Sequence, residues 1–179
     1  MTPREAIALL DNPLLHHVAP ASHWADLGCG SGTFTLALAH FLAPDSSIDA
    51  IDLNPTIKKQ TTPNKVLIQP RTADFTDPNL NLKNVDGILM ANALHYVTDK
   101  PTLLPTLHAA LKPGGALIII EYNTDIPLPR WVPYPLSFTT ASHLLAPPLW
   151  LNLQKGNERP SAFGRSTLYC AYTKSAGQR

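Results

Sequence analysis

Three glycines at alternate positions, Gly28, Gly30 and Gly32, separate the run His23-Trp24-Ala25-Asp26-Leu27 from the apolar stretch at residues 33–42. A turn without side chains lets the backbone take positive φ and approach a ligand closely, beside the amide-rich start of the next helix. A tight strand-to-helix turn with no ligand is the other reading, although three glycines cost chain entropy that such a turn does not demand. The spacing is Gly-x-Gly-x-Gly; seating a dinucleotide pyrophosphate requires Gly-x-Gly-x-x-Gly, and Thr33 stands where that third glycine belongs. That argues against a nicotinamide-dependent oxidoreductase. Metal chemistry is also thinly supported. Cys29 and Cys170 are too few for a zinc site or a disulfide framework, and His16, His17, His40, His108 and His143 have no metal-ligand spacing.

For the glycines to act, a strand must end in front of them and a helix must begin behind them. Residues 23–27 and 33–42 supply both. The alternation then repeats. Residues 48–51 form a short strand closed by Asp52, Asn54-Pro55 opens a short helix, and residues 66–69 form a third strand. The unbroken apolar runs at 85–90 and 116–121 are expected at the centre of a parallel sheet covered on both faces. Between them a helix at 101–111 stops at Lys112-Pro113-Gly114-Gly115, with Pro105 expected to delay or kink its start. A last strand is expected at 167–173, and Thr2-Pro3-Arg4-Glu5 reads as the capping box of a leading helix. Strands alternating with helices predict an α/β, doubly wound, mostly parallel sheet. In such a sheet ligands bind beyond the carboxyl ends of the strands, so residues just after each strand carry the functional expectation.

On those residues, Asp26-Leu27-Gly28-Cys29-Gly30-Ser31-Gly32 resembles the first signature motif of class I S-adenosylmethionine-dependent methyltransferases. The resemblance covers residues 24–122 and implies a seven-stranded Rossmann-like methyltransferase fold with S-adenosylmethionine as cofactor. It implies cofactor contacts from Asp26, Gly28, Cys29, Gly30, Gly32 and Asn92. Asp52, about 20 residues beyond the glycines, corresponds to the acid that accepts both ribose hydroxyls, with Leu53 beside it. Thr72-Ala73-Asp74-Phe75 resembles the adenine motif, in which the aspartate accepts from the base amino group and the ring frames it. Asp74 can equally cap a turn before Asp77-Pro78. Asn92-Ala93-Leu94-His95-Tyr96 has neither the Pro-Pro-aromatic run of base amino-methyltransferases nor the Pro-Cys of cytosine-carbon enzymes. It looks instead like the small-molecule branch of the family, whose product would be S-adenosylhomocysteine.

A sulfonium methyl is already electrophilic, so the protein has to align the acceptor, exclude water and, where needed, remove a proton. His95, after the fourth strand, is the candidate base, since an imidazole is suited to proton removal at neutral pH; a purely shaping role is the alternative. Tyr96, Glu121 and Tyr122 share the same rim. Residues 127–138 interleave prolines with Trp131, Tyr134 and Phe138, and are expected either as a lid over the acceptor or as a stiff connection completing the core. In the lid reading Arg130 meets a carboxylate or phosphate on the acceptor.

Length and composition set the remaining bounds. A chain of 179 residues fits one domain, read as a helical lead-in at 1–22, a cofactor half at 23–122 and an acceptor-side segment at 123–179. A formal net charge of +1 provides no field for nucleic acid or anionic membrane. Charges at Arg4, Glu5 and Asp11 interrupt the leading apolar residues, so neither a signal peptide nor a span is expected, and the sparse cysteines fit a cytoplasmic protein. The expectation is a methyltransferase acting on oxygen or nitrogen of a small molecule, with a non-catalytic binding domain of the same ancestry as the competing reading.

Overall fold

In the computed structural model, residues 1–161 and 166–177 are described. The strand before the glycines is β1 (His23–Leu27), and parallel to it lie β2 (Ser47–Asp52), β4 (Leu67–Thr72), β5 (Val85–Ala91) and β6 (Leu111–Tyr122). The two-residue β3 (Gln60–Thr61) runs antiparallel to β4, while β8 (Thr167–Lys174) runs antiparallel to both β6 and β7 (Gln154–Pro160). Together they make one sheet in the order β3-β4-β2-β1-β5-β6-β8-β7. β5 stands at its centre beside β1, and β6 lies next to β5 inside the sheet, as their unbroken apolar runs require.

Because side chains alternate across a strand, each strand feeds two cores. Trp24, Ile48, Leu89, Ile118 and Cys170 meet α1 (Pro3–Leu10) and α2 (Thr33–Phe41) on one face. Ala25, Ile51, Ile88, Ile119 and Ala171 meet α3 (Lys100–Ala110) and α4 (Phe138–Leu144) on the other. The capping box of α1 forms as expected, Thr2 and Glu5 satisfying each other's backbone amides. α3 starts at Lys100 because Asp99 accepts from the Thr102 amide, so Pro105 lies inside the helix and does not delay its start.

Three features depart from the expected pattern. No helix opens at Asn54-Pro55; the chain crosses the glycine turn in a series of bends before β3. The reason is local: Thr56 donates its amide to the Gly30 carbonyl, and Ile57 packs against Gly32, so this stretch spends its groups on the turn. The strand expected at 66–69 is β4 and extends through Thr72. β7 has no counterpart among the expected strands, since its sequence QKGNERP is polar and its residues lie mostly exposed at the sheet edge. With β3 it accounts for the strands beyond those read from the pattern.

Candidate active site

The carboxyl ends of β1 and β2 are joined by main-chain bonds. Gly28 and Cys29 both donate to the Ile51 carbonyl, at 2.8 and 3.1 Å, and Gly30 donates to Asp52 Oδ2 at 2.9 Å. Asp52 Oδ1 accepts from the Asn54 amide at 2.9 Å. Its carboxylate is thus fixed over the turn with lone pairs to spare, since each oxygen takes two bonds. The left-handed φ of Gly28, +81°, and a Cβ there would lie 2.5 Å from that of Ala93, so the turn closes against the end of β5 only without a side chain. A Cβ on Gly30 would meet nothing within 4 Å, which leaves open space above the turn for a ligand.

That space is a cavity of about 330 Å³ lined by Met1, Asp26, Gly28, Cys29, Gly30, Ser31, Thr33, Phe34, Ala91 and Asn92. Two of its walls present buried acceptors without hydrogen-bond partners among the described residues, Asp26 Oδ1 and Asn92 Oδ1. Asp26 Oδ2 accepts from Thr35 Oγ1 at 2.6 Å, yet burial pushes the carboxyl up to about 7. A buried acid beside an unpartnered amide oxygen fits an ammonium group, as in the amino-acid portion of S-adenosylmethionine. Cys29 is pushed up to about 12 by burial and serves as a wall of the cavity, with its thiol protonated.

Adenosine-side candidates lie on neighbouring strand ends. Asp52 pairs with Thr72 across β2 and β4, and Ala73 donates to the Asp52 carbonyl, so Asp74 and Phe75 follow directly beside Asp52. Phe75 Cε1 comes within 3.5 Å of where a Gly28 Cβ would be. Leu53 is 70% exposed at the same rim. Asp74 Oδ1 accepts from the amide and hydroxyl of Thr76, which hold its carboxyl below the usual range; the turn-capping role is therefore formed.

A second cavity, of about 200 Å³, is lined by Asn92, His95, Tyr96, Tyr122, Leu128, Trp131 and Val132. Asn92 belongs to both cavities; it sits at φ +53°, and its backbone N–H donates to the Ile120 carbonyl. His95, at the turn Leu94–Tyr96, is 2% exposed, with Nδ1 2.6 Å from Glu121 Oε2 and its amide donating to Oε1 at 3.2 Å. Glu121, expected on the acceptor rim, is 0% exposed and does not line the cavity. Tyr122 does line it, and burial raises its phenol above the ordinary value.

The proline-rich segment passes over this cavity as a strap. Leu128 and Val132 exchange backbone bonds, and the loop they close holds Trp131 and Leu128 on the cavity wall. Tyr134 does not line the cavity; its amide donates to the His95 carbonyl and its own carbonyl accepts from Lys100 Nζ at 2.8 Å. Arg130 is exposed and also outside the lining. Lys100 gives no sequence signal, since a lysine in the first turn of a helix ordinarily faces water. Here it is buried, donates also to the Val97 carbonyl, and is held below the usual lysine range by desolvation. Val132 and Leu128 were likewise hidden by their neighbours' aromatic pattern.

Comparison with known proteins agrees with this geometry. Residues 25–119 match the family described as the methyltransferase domain. A demethylmenaquinone methyltransferase of Symbiobacterium thermophilum is 30% identical over 111 residues, covering 59% of this chain and 44% of that protein. A carboxy-S-adenosyl-L-methionine synthase of Chromohalobacter salexigens is 32% identical over 115 residues, covering 59% and 42%. The chain thus aligns with less than half the length of these curated relatives. Among solved structures, the Burkholderia thailandensis 1,6-didemethyltoxoflavin-N1-methyltransferase, with its substrate and S-adenosylhomocysteine bound, superposes with TM-score 0.70 at 19% identity, covering 97% of this chain and 78% of that one. That likeness shows the shared fold. With its glycine turn, strand-end acid and more than half of its residues inside the family match, the chain belongs to the class I S-adenosylmethionine-dependent methyltransferases.

Proposed function

We propose that this protein transfers a methyl group from S-adenosylmethionine to an oxygen or nitrogen atom of a small molecule held in the cavity of about 200 Å³. The observation that carries the reading is Asn92, which lines both this cavity and the one above the glycine turn. Reacting partners placed on its two sides are neighbours. When bound, S-adenosylmethionine supplies the sulfonium methyl. Asp26 and Asn92 would hold its ammonium, Asp52 its ribose hydroxyls, and Leu53, Asp74 and Phe75 its base.

The protein's contribution is alignment and dryness. Leu128, Trp131 and Val132 cover the acceptor, and His95 and Tyr96 bring polar groups to its wall. The curated relatives' names span different chemistries, so the acceptor is read from this cavity. A histidine on an otherwise mostly apolar wall suits an acceptor that carries a removable proton. A small cavity and a net charge of +1 favour a metabolite over nucleic acid, and we read the enzyme as cytoplasmic. No helix among the described residues is long and apolar enough to cross a membrane.

Calorimetric titration with S-adenosylmethionine and S-adenosylhomocysteine, followed by methyl-transfer assays against fractionated metabolites, tests this reading. Micromolar-range binding of both and label transfer into a low-molecular-weight product are expected. Binding without transfer to any fraction would favour the non-catalytic alternative.

A further inference from the structure

Glu121 and His95 lie 26 residues apart in sequence, on β6 and on the turn after β5. Both are buried, and both carboxylate oxygens of Glu121 are turned to His95, one to its amide and one to Nδ1. The His95 amide N–H donates to Oε1, which leaves Oε2 placed to accept a proton from Nδ1. Nε2 then holds the ring's free lone pair. It takes no hydrogen bond from the described residues, and His95 lines the acceptor cavity while Glu121 does not. The other titratable groups around the pair are Lys100 on α3, Tyr96 beside His95, Tyr122 on β6 and Tyr169 on β8.

The other walls are Tyr96, Tyr122 and Trp131, with Leu128, Val132 and the Asn92 amide. A volume of about 200 Å³ is below that of ordinary drug-sized pockets and suits a single ring. We infer that Glu121 is a positioning residue that fixes the Nδ1–H tautomer of His95, presenting Nε2 as proton acceptor to a single aromatic ring bearing an ionisable hydroxyl. This rests on the methyl-transfer reading of the cavity. The hydroxyl O–H bond breaks towards Nε2 as the oxygen–methyl bond forms and the methyl's bond to sulfur breaks. The positive charge lost at sulfur ends on the imidazolium, next to the Glu121 carboxylate.

The test uses the cofactor-free protein with nitrogen-15 imidazole NMR, assigned with H95Q, and three probes: phenol, anisole and cyclohexanol. In the wild type, Nδ1 should be protonated and Nε2 bare. Phenol should move the Nε2 resonance, anisole should not, and cyclohexanol should bind several-fold more weakly than phenol. E121Q should transfer a substantial share of the proton to Nε2 and weaken phenol roughly tenfold, the loss of one hydrogen bond. A wild-type Nε2–H tautomer, an equal response to phenol and anisole, equal affinity for cyclohexanol, or an unchanged tautomer in E121Q overturns the inference. Should E121Q fail to fold, the wild-type tautomer and the three probes decide alone. Failure of the methyl-transfer reading shows itself separately, as absent cofactor binding or absent transfer, and leaves this spectroscopic readout intact.

Discussion

At the glycine turn, main-chain groups form the site: amides of Gly28, Cys29 and Gly30 reach across to β2, and open space is left where a side chain would stand. At the acceptor cavity the reverse holds. Side chains of Asn92, His95, Tyr96, Tyr122, Leu128, Trp131 and Val132 converge, stabilised by Glu121 and Lys100, neither of which touches the cavity. A site made of backbone tolerates few sequences, because each residue is constrained by its φ and by what its Cβ would strike. A site made of side chains can change its ligand while its scaffold stays in place. The family match, residues 25–119, accordingly takes in the whole glycine turn and stops before Tyr122 and the strap.

Substitutions can break or sharpen that contrast. The largest effect is expected from Gly28→Ala, which places a Cβ 2.5 Å from Ala93 at φ +81°. Strain and overpacking should cost about 2–4 kcal/mol, read as a lowered denaturation midpoint together with lost cofactor binding. An unchanged midpoint would show that the backbone account of the turn is wrong. Next is Asp52→Ala. Removing acceptors for two ribose hydroxyls, and for the Gly30 and Asn54 amides, should weaken S-adenosylmethionine and S-adenosylhomocysteine alike, by about 3 kcal/mol or roughly a hundredfold. Equal calorimetric affinity for wild type and variant would refute the assignment.

Asp26 offers a pH test of intermediate size. Burial pushes its carboxyl up to about 7, well above the usual aspartate value, so the protonated form is the one the fold favours. The stability it contributes is full below about pH 4 and is lost as pH rises through about 7. Asp26→Asn should flatten that decline in urea titrations and weaken cofactor binding. At pH 6 the wild type should release a proton when an ammonium-bearing ligand binds, seen as a dependence of the calorimetric heat on the buffer. Absence of that dependence would sever Asp26 from the ammonium. Trp131→Ala should have the smallest effect: Trp131 is 68% exposed, so stability should change by less than about 0.5 kcal/mol and cofactor affinity stay the same. Only the acceptor's KM should rise, by several-fold; turnover kinetics unchanged in every parameter would end the strap's role in binding.

How legible each region was follows from the same contrast. Strand, turn and helix around Gly28 occupy contiguous residues, so their pattern could be read directly. β5 and β6 announced themselves through apolar runs that only a doubly covered strand requires. β7 could not, because an edge strand with exposed side chains needs no apolar face. The helix expected at Asn54-Pro55 failed because Ile57 and the Thr56 amide are claimed by a turn 25 and 26 residues earlier, an interaction local pattern cannot contain. His95 was found by its place after a strand, but its pairing with Glu121, and the burial that turns Glu121 from acceptor ligand into support, depend on β6 lying beside β5.

The Lys100 ammonium donates to the Val97 and Tyr134 carbonyls with almost no access to water. Peeling the chain away at Tyr134 would leave the desolvated cation with the Val97 carbonyl alone and would strip the His95 carbonyl of its donor. The Tyr134 end of the loop is therefore a fixed post, and any opening of the smaller chamber is expected at the other end, where Leu128 and Val132 close on each other beside the exposed Trp131.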